Sequence, residues 1–166
     1  MAKSRNTQGT PAVLALQRAG VTHTVHPYEV ASDGSRHAYG LEAAAALGVP
    51  PEQIFKTLLA SCDDRLAVAV VPVSASLDLK AFASALGAKR AVMAESSDAE
   101  RSTGYVVGGI SPLGQRKRLP TVVDASALSL ATMYVSAGRR GLQVELTPAD
   151  LVRLTDAKTA EIARPA

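Results

Sequence analysis

IFKTLLASCDDRLAVAVVPV, Ile54 to Val73, is the stretch whose reading decides the fold. Ile54–Ser61 and Leu66–Val73 are two apolar runs divided by Cys62-Asp63-Asp64-Arg65. Two such runs around a short polar break read as a β-hairpin. Before the hairpin, Thr10-Pro11 opens a helix that Gly20 stops. Val21 to Val30 reads as a strand, residues 31–37 as a loop, and Leu41 to Leu47 as an Ala-rich helix closed by Gly48. After the hairpin, Leu77 to Leu86 is an amphipathic helix closed by Gly87. Ala91–Met93 reads as a short strand and Glu95–Ser102 as a short polar helix. Thr121–Asp124, Thr132–Ser136 and Leu142–Leu146 read as strands, the last two joined by a tight Ala-Gly-Arg-Arg-Gly turn. Thr147-Pro148-Ala149-Asp150 carries a capping signal for a final helix. Helices and strands mix without strict βαβ alternation, which predicts an α+β fold with a mixed, mostly antiparallel sheet. Residues 1–9 are expected to be a disordered tail and residues 10–166 a single domain.

Composition narrows the classes. The chain has 166 residues, 47% hydrophobic and 20% charged, with 4% aromatic and no Trp. Its core must therefore be built of Ala, Val and Leu, and extended base-stacking platforms are not expected. No apolar run has the length of a membrane span. A single cysteine and a polar N-terminus fit a reducing cytoplasm. The net charge of +3 is unevenly spread: Arg101 to Val144 carries +5 and the remainder −2. That asymmetry suggests a polyanionic partner.

Ser102 to Pro120, STGYVVGGISPLGQRKRLP, holds four of the chain's 12 glycines and no acidic residue. Gly108-Gly109 is either a tight turn or a pair of backbone donors for an oxyanion. Gly109 to Gly114 has the spacing of a phosphate-binding P-loop, but Gln115-Arg116 stand where Lys and Ser/Thr are needed, and Leu119-Pro120 argues against the following helix. An NTPase is excluded. The basic residues Arg116, Lys117, Arg118, Arg139 and Arg140 are candidates for RNA phosphate contact, or else solvate turns.

Lys56 is the anomaly of the hairpin. Alternation puts it on the face of Ile54, Leu58 and Ala60. A lysine there is either desolvated and functional, or snorkels at a sheet edge. His23 and His26 fall on opposite strand faces, and no metal-ligand spacing occurs, so neither metal nor cofactor is expected. His26 is expected to pack or hydrogen-bond near Tyr28. Cys62 lies beside Asp63 and Asp64, whose charges would raise a thiol pKa, so it is a poor nucleophile. No nucleophile–base pair is visible. Any reacting group must come from substrate or water.

Phe55–Leu59 (FKTLL), Arg101–Thr121 and Thr132–Leu142 (TMYVSAGRRGL) closely resemble the YbaK/EbsC-type Cys-tRNA(Pro) deacylases. That family includes the editing domain of bacterial prolyl-tRNA synthetase. The resemblance implies a twisted sheet closing toward a barrel with helices packed around it, and removal of a misattached amino acid from tRNA. It puts the family's essential lysine at Lys56 and its neighbouring Thr at Thr57. It puts pocket aromatics at Tyr28 and Tyr39, the first loop glycine at Gly108 and a pocket serine at Ser136. Close relatives carry Asp where this chain has Gln143. The resemblance also implies a thiol-assisted reaction, an aminoacyl-tRNA substrate and prolyl-tRNA synthetase as partner. Deacylation of Ala-tRNA(Pro) or another misacylated tRNA, and a non-catalytic tRNA- or nucleotide-binding module, are the alternative readings.

Overall fold

The structure is a computed structural model that describes residues 9–30 and 39–166. The expected tail, through residue 8, and the expected loop over 31–37 lie outside the described residues. The hairpin forms as read. Strands β2 (Phe55–Cys62) and β3 (Arg65–Pro72) pair antiparallel from Phe55↔Pro72 to Cys62↔Arg65. Asp63 and Asp64 turn the chain with φ of 49° and 68°. Positive φ at both central residues is the demand of a two-residue type I′ turn, which Asp meets better than most residues. The Asp63 carboxylate also accepts the Lys89 and Arg90 N–H groups at 3.0 and 3.1 Å.

Around the hairpin the elements follow in order. Helix α1 (Pro11–Ala19) is capped by Thr10, whose hydroxyl accepts the Val13 N–H, and stops at left-handed Gly20. Strand β1 (Thr24–Pro27) is shorter than the apolar run that suggested it, because its ladder extends only over the partner strand β8 (Leu142–Leu146). Helix α2 (Tyr39–Leu47) begins earlier than expected. The predicted Leu77–Leu86 helix divides into strand β4 (Ala75–Leu77) and helix α3 (Leu79–Ala85). Asp78 makes the break by capping α3 at the Ala81 N–H. Strand β5 (Ala91–Met93), helix α4 (Ser96–Thr103), strands β6 (Thr121–Asp124) and β7 (Met133–Arg139), and helix α5 (Pro148–Thr155) complete the expected set. Two C-terminal strands, β9 (Lys158–Ala160) and β10 (Ala163–Pro165), were not legible: each is three residues long.

A five-stranded sheet runs β5-β2-β3-β6-β9, antiparallel across β5-β2-β3 and parallel across β3-β6-β9. A three-stranded antiparallel sheet runs β1-β8-β7, and β10 pairs with β4. The fold is thus mixed α+β with mostly antiparallel pairing. The ladders form three separate sheets. An isolated bridge between Ile54 and Tyr134 ties the entry to β2 to β7, and no ladder among the described residues closes a barrel.

Alternation along β3 feeds two cores. Val68 and Val70 face α1, β7 and β8 in the larger cluster, while Ala67, Ala69 and Val71 face Phe82 of α3 and Ile162. Ala43 and Ala44 of α2 pack on Ile54, Val73 and Tyr134 in a third. No helix among the described residues is long and apolar enough to cross a membrane.

The C-terminal strands are secured by one buried side chain. Asp124, 5% exposed at the end of β6, accepts the Ser126 N–H through Oδ2 and the Ile162 and Ala163 N–H groups through Oδ1, at 3.2, 2.9 and 3.0 Å. Asp124→Ala removes three hydrogen bonds to a carboxylate and is expected to lower the unfolding free energy by about 3 kcal/mol in urea titration. A loss well under ~1 kcal/mol would show that β10 is held by its pairing with β4 alone.

Candidate active site

The cavity that gathers the sequence candidates has a volume of about 320 Å³. Its floor is β2, Ile54 to Leu59. Tyr28 after β1, Tyr39 and Gly40 of α2, Ser136 of β7, Gln143 of β8 and the loop residues Val107, Gly108 and Ile110 wall it. Met93 and Ala94 complete one side. Lys56, Thr57, Tyr28, Tyr39, Gly108, Ser136 and Gln143, named from separate parts of the chain, thus meet around one space.

Lys56 is half-buried, and burial alone pushes its pKa below the ordinary lysine value of 10.5. No carboxylate lines the cavity among the described residues. Among the described residues two buried polar atoms of the lining residues, the Thr57 hydroxyl oxygen and the Gln143 side-chain carbonyl oxygen, have no hydrogen-bond partner within the chain. Gln143 itself is 7% exposed. A buried polar atom left unsatisfied costs about 1–3 kcal/mol, so two in one cavity with a desolvated lysine mark a site built for a polar ligand.

The Gly-Gly pair divides its duties. At Gly108, φ is +97°, and a Cβ there would stand 2.9 Å from Cε2 of Tyr39. At Gly109 a Cβ would stand 2.6 Å from the Arg139 Cα, so the loop can lie on that turn only without a side chain. The Gly109 N–H donates to the Val106 carbonyl at 2.9 Å, and Gly109 does not line the cavity. Its expected part as an oxyanion donor is therefore not available in this conformation. The Gly109 carbonyl accepts the Ser136 hydroxyl at 3.1 Å, which fastens the loop to β7. Ser136 in turn accepts the Gly138 N–H.

The five basic candidates do not form one patch. Arg140 is engaged within the chain, by Glu42 and the Tyr39 ring. The exposed Arg116 lies along Gly104 and donates to the Arg101 carbonyl at 3.5 Å. Lys117 and Arg118 line a separate cleft of about 160 Å³ with Pro112, Gln115, Thr121 and Thr155. Arg139 is exposed at the end of β7, where its backbone lies behind Gly109.

The His26 Nε2 lies 2.9 Å from Oε1 of Glu145, which antiparallel pairing with β8 brings near, and its ring centroid lies 5.2 Å from that of Tyr134, which β7 pairs with Glu145. Cys62 is buried, and burial first, then Asp63, pushes its thiol pKa up. Among the described residues no three of His, Cys, Asp and Glu gather as a metal site. Gly40, Met93, Val107 and Ile110 were not singled out from the sequence. For Gly40 the signal is visible only in space: a Cβ would lie 2.1 Å from Cγ1 of Val73.

Lys56→Met removes the buried charge and is expected to raise the melting temperature near neutral pH. The folded-state pKa is the lower one, so between it and 10.5 the unfolded chain binds more protons and wild-type stability rises with pH. The gap between variant and wild type should therefore close as pH climbs through that window. A gap independent of pH would place Lys56 in solvent.

The aminoacyl-tRNA editing domain family model matches residues 36–154. Over 163 residues the chain is 36% identical to EbsC of Enterococcus faecalis, which carries the name Cys-tRNA(Pro)/Cys-tRNA(Cys) deacylase, with 98% of each chain covered. It is 27% identical over 101 residues to a proline–tRNA ligase of Leuconostoc mesenteroides, covering 61% of this chain and 18% of the ligase. A solved structure described as a trans-editing enzyme for prolyl tRNA synthetase superposes with a TM-score of 0.75 at 23% identity, over 98% of this chain and 96% of that one, a likeness of fold.

Proposed function

We propose, from the premise that this chain belongs to the aminoacyl-tRNA editing domain family, that it is a deacylase that clears cysteine from tRNA(Pro). The observation that carries this reading is the cavity over β2, where Lys56 and the unpartnered Thr57 and Gln143 oxygens surround a space of about 320 Å³. That volume is at the lower end for small-ligand pockets and suits an aminoacyl group.

The cavity holds hydroxyls but no histidine or carboxylate to activate them among the described residues. In this reading the substrate supplies the attacking group, with water as the alternative. The Sγ of the bound cysteine, as thiolate, attacks its own ester carbonyl. A C–S bond forms, the C–O bond to the terminal ribose breaks, and the ribose oxygen takes up the proton that the thiol gave up. The products are tRNA and a cyclic thiolactone. A thiol with a pKa of about 8.5 is a few per cent ionised near neutrality, and holding it beside the carbonyl replaces a bimolecular encounter. Lys56 supplies positive charge to the developing oxyanion, and the Gly108 N–H a backbone donor. Tyr28 and Tyr39 wall the acyl group, and Ser136 holds the loop that carries Gly108. With Gln143 in place of a carboxylate, the acyl amine is met by a neutral acceptor.

Lys56→Ala is expected to lower kcat/KM for Cys-tRNA(Pro) by about 10²–10³-fold, the usual cost of losing one oxyanion-stabilising group. Activity within a few-fold of wild type would remove Lys56 from the mechanism. Ser- and Ala-charged tRNA(Pro) test the chemistry, since neither has a thiol. Equal turnover of Ala-tRNA(Pro) would mean that water attacks and that the substrate is the alternative one.

Transfer RNA is held, in this reading, by Lys117 and Arg118. Ile110 lines the cavity and Pro112, two residues on, the basic cleft. Replacing both cations by Glu should weaken binding and reduce the slope of log affinity against log salt by about 1.4–1.8. An unchanged slope would leave the cleft without RNA. The likeness to part of a proline–tRNA ligase supports prolyl-tRNA synthetase as the partner that selects the tRNA, in the cytoplasm.

A further inference from the structure

Tyr39 and Glu42 are three residues apart in α2, which puts them side by side on one face of the helix. Arg140, in the turn between β7 and β8, meets both. Its Nε donates to Oε1 of Glu42 at 3.0 Å and its Nη2 to Oε2 at 2.9 Å. The same guanidinium stands with Cζ 4.7 Å from the centre of the Tyr39 ring, well within cation–π reach. The ring also abuts Gly108, where a Cβ would be 2.9 Å from Cε2.

The turn that carries Arg140 backs the other walls as well. The Gly141 carbonyl accepts the Tyr28 N–H at 2.9 Å, and the Arg139 backbone lies against Gly109. The end of β7 and the turn after it thus hold Tyr28 through backbone, Tyr39 through a side chain, and the glycine loop by close contact. We infer that Arg140 is a specificity-positioning residue: clamped by Glu42, it fixes the Tyr39 ring and with it the width of the acyl cavity. This assignment rests on the deacylase reading for its substrate, but its geometry belongs to the chain alone. It takes Arg140 out of the phosphate-binding candidates, because the fork of donors that would grip a phosphate grips Glu42.

Arg140→Lys keeps the charge but loses the planar fork and the stacked face. Cys-tRNA(Pro) and homocysteinyl-tRNA(Pro) differ by one methylene and close four- and five-membered thiolactones; that chemical difference is the same in every variant, so the change in the ratio of their kcat/KM values on substitution reads cavity width. A methylene in a pocket is worth roughly 10–200-fold, and the variant is expected to shift the ratio toward homocysteine by about tenfold relative to wild type. In a Tyr39→Ala background the lysine substitution should change the ratio no further. The double variant Glu42→Gln, Arg140→Gln removes both charges of this ion pair together and guards against loss of folding. It should relax the ratio in the same way and leave the salt slope of tRNA binding unchanged.

A ratio unaltered in both variants overturns the inference, as does a salt slope that falls by about 0.7–0.9 in the double variant, which would make Arg140 a phosphate contact. The Tyr39 ring resonances give a readout free of substrate. They should flip slowly in wild type and average in Arg140→Lys, and identical spectra overturn the clamp. A wild type inactive on both esters defeats the deacylase reading and leaves the ring measurement to decide the clamp.

Discussion

The β2–β3 ladder is the constraint on which the rest depends. Eight consecutive pairs, Phe55↔Pro72 to Cys62↔Arg65, make it the longest ladder among the described residues. β5 attaches along the free edge of β2, and β6 and then β9 along that of β3. Because side chains alternate, the same two strands feed both large cores and leave the start of β2 to floor the cavity. A one-residue slip of this register would exchange the faces and take Lys56 and Thr57 out of their present relation to Tyr28 and Gln143.

The site on that floor opposes the stability of its surroundings. Among the described residues, burial disfavours the charge of Lys56, and the buried Thr57 and Gln143 oxygens have no hydrogen-bond partner within the chain, both of which oppose stability. The surrounding apolar packing sustains them. The walls are fixed by contacts that leave little freedom: Ser136 to the Gly109 carbonyl, Gly109 against the Arg139 backbone, and Arg140 between Glu42 and Tyr39. Rigid walls around unsatisfied polar groups are what preorganisation for a polar substrate requires.

Much of this was legible locally. The hairpin, the capped helices at Thr10 and Thr147, and strand β6 follow from periodicity and from residues whose side chains bond their own backbone. The chemical candidates Lys56 and Gly108 stood out by being out of place in their segments. What was not legible shares one cause. β1 took its length from β8, the Leu77–Leu86 helix lost its start to a strand that pairs with distant β10, and His26 turned to Glu145 across the sheet. In each case the deciding partner lies far along the chain.

The sequence by itself therefore determined the α+β class, the central hairpin and a family resemblance strong enough to locate Lys56, Thr57, Tyr28, Tyr39, Gly108, Ser136 and Gln143, since these rest on local propensity and on residue order. Only the tertiary structure decided how the basic and glycine residues divide their work. Gly109 serves close packing because its N–H is taken by Val106, Arg140 serves the cavity wall because Glu42 and Tyr39 hold it, and Lys117 and Arg118 face a cleft of their own. A charge or a glycine has the same letter in either role. What distinguishes the roles is which group stands within hydrogen-bond or van der Waals distance, and that is set by the fold.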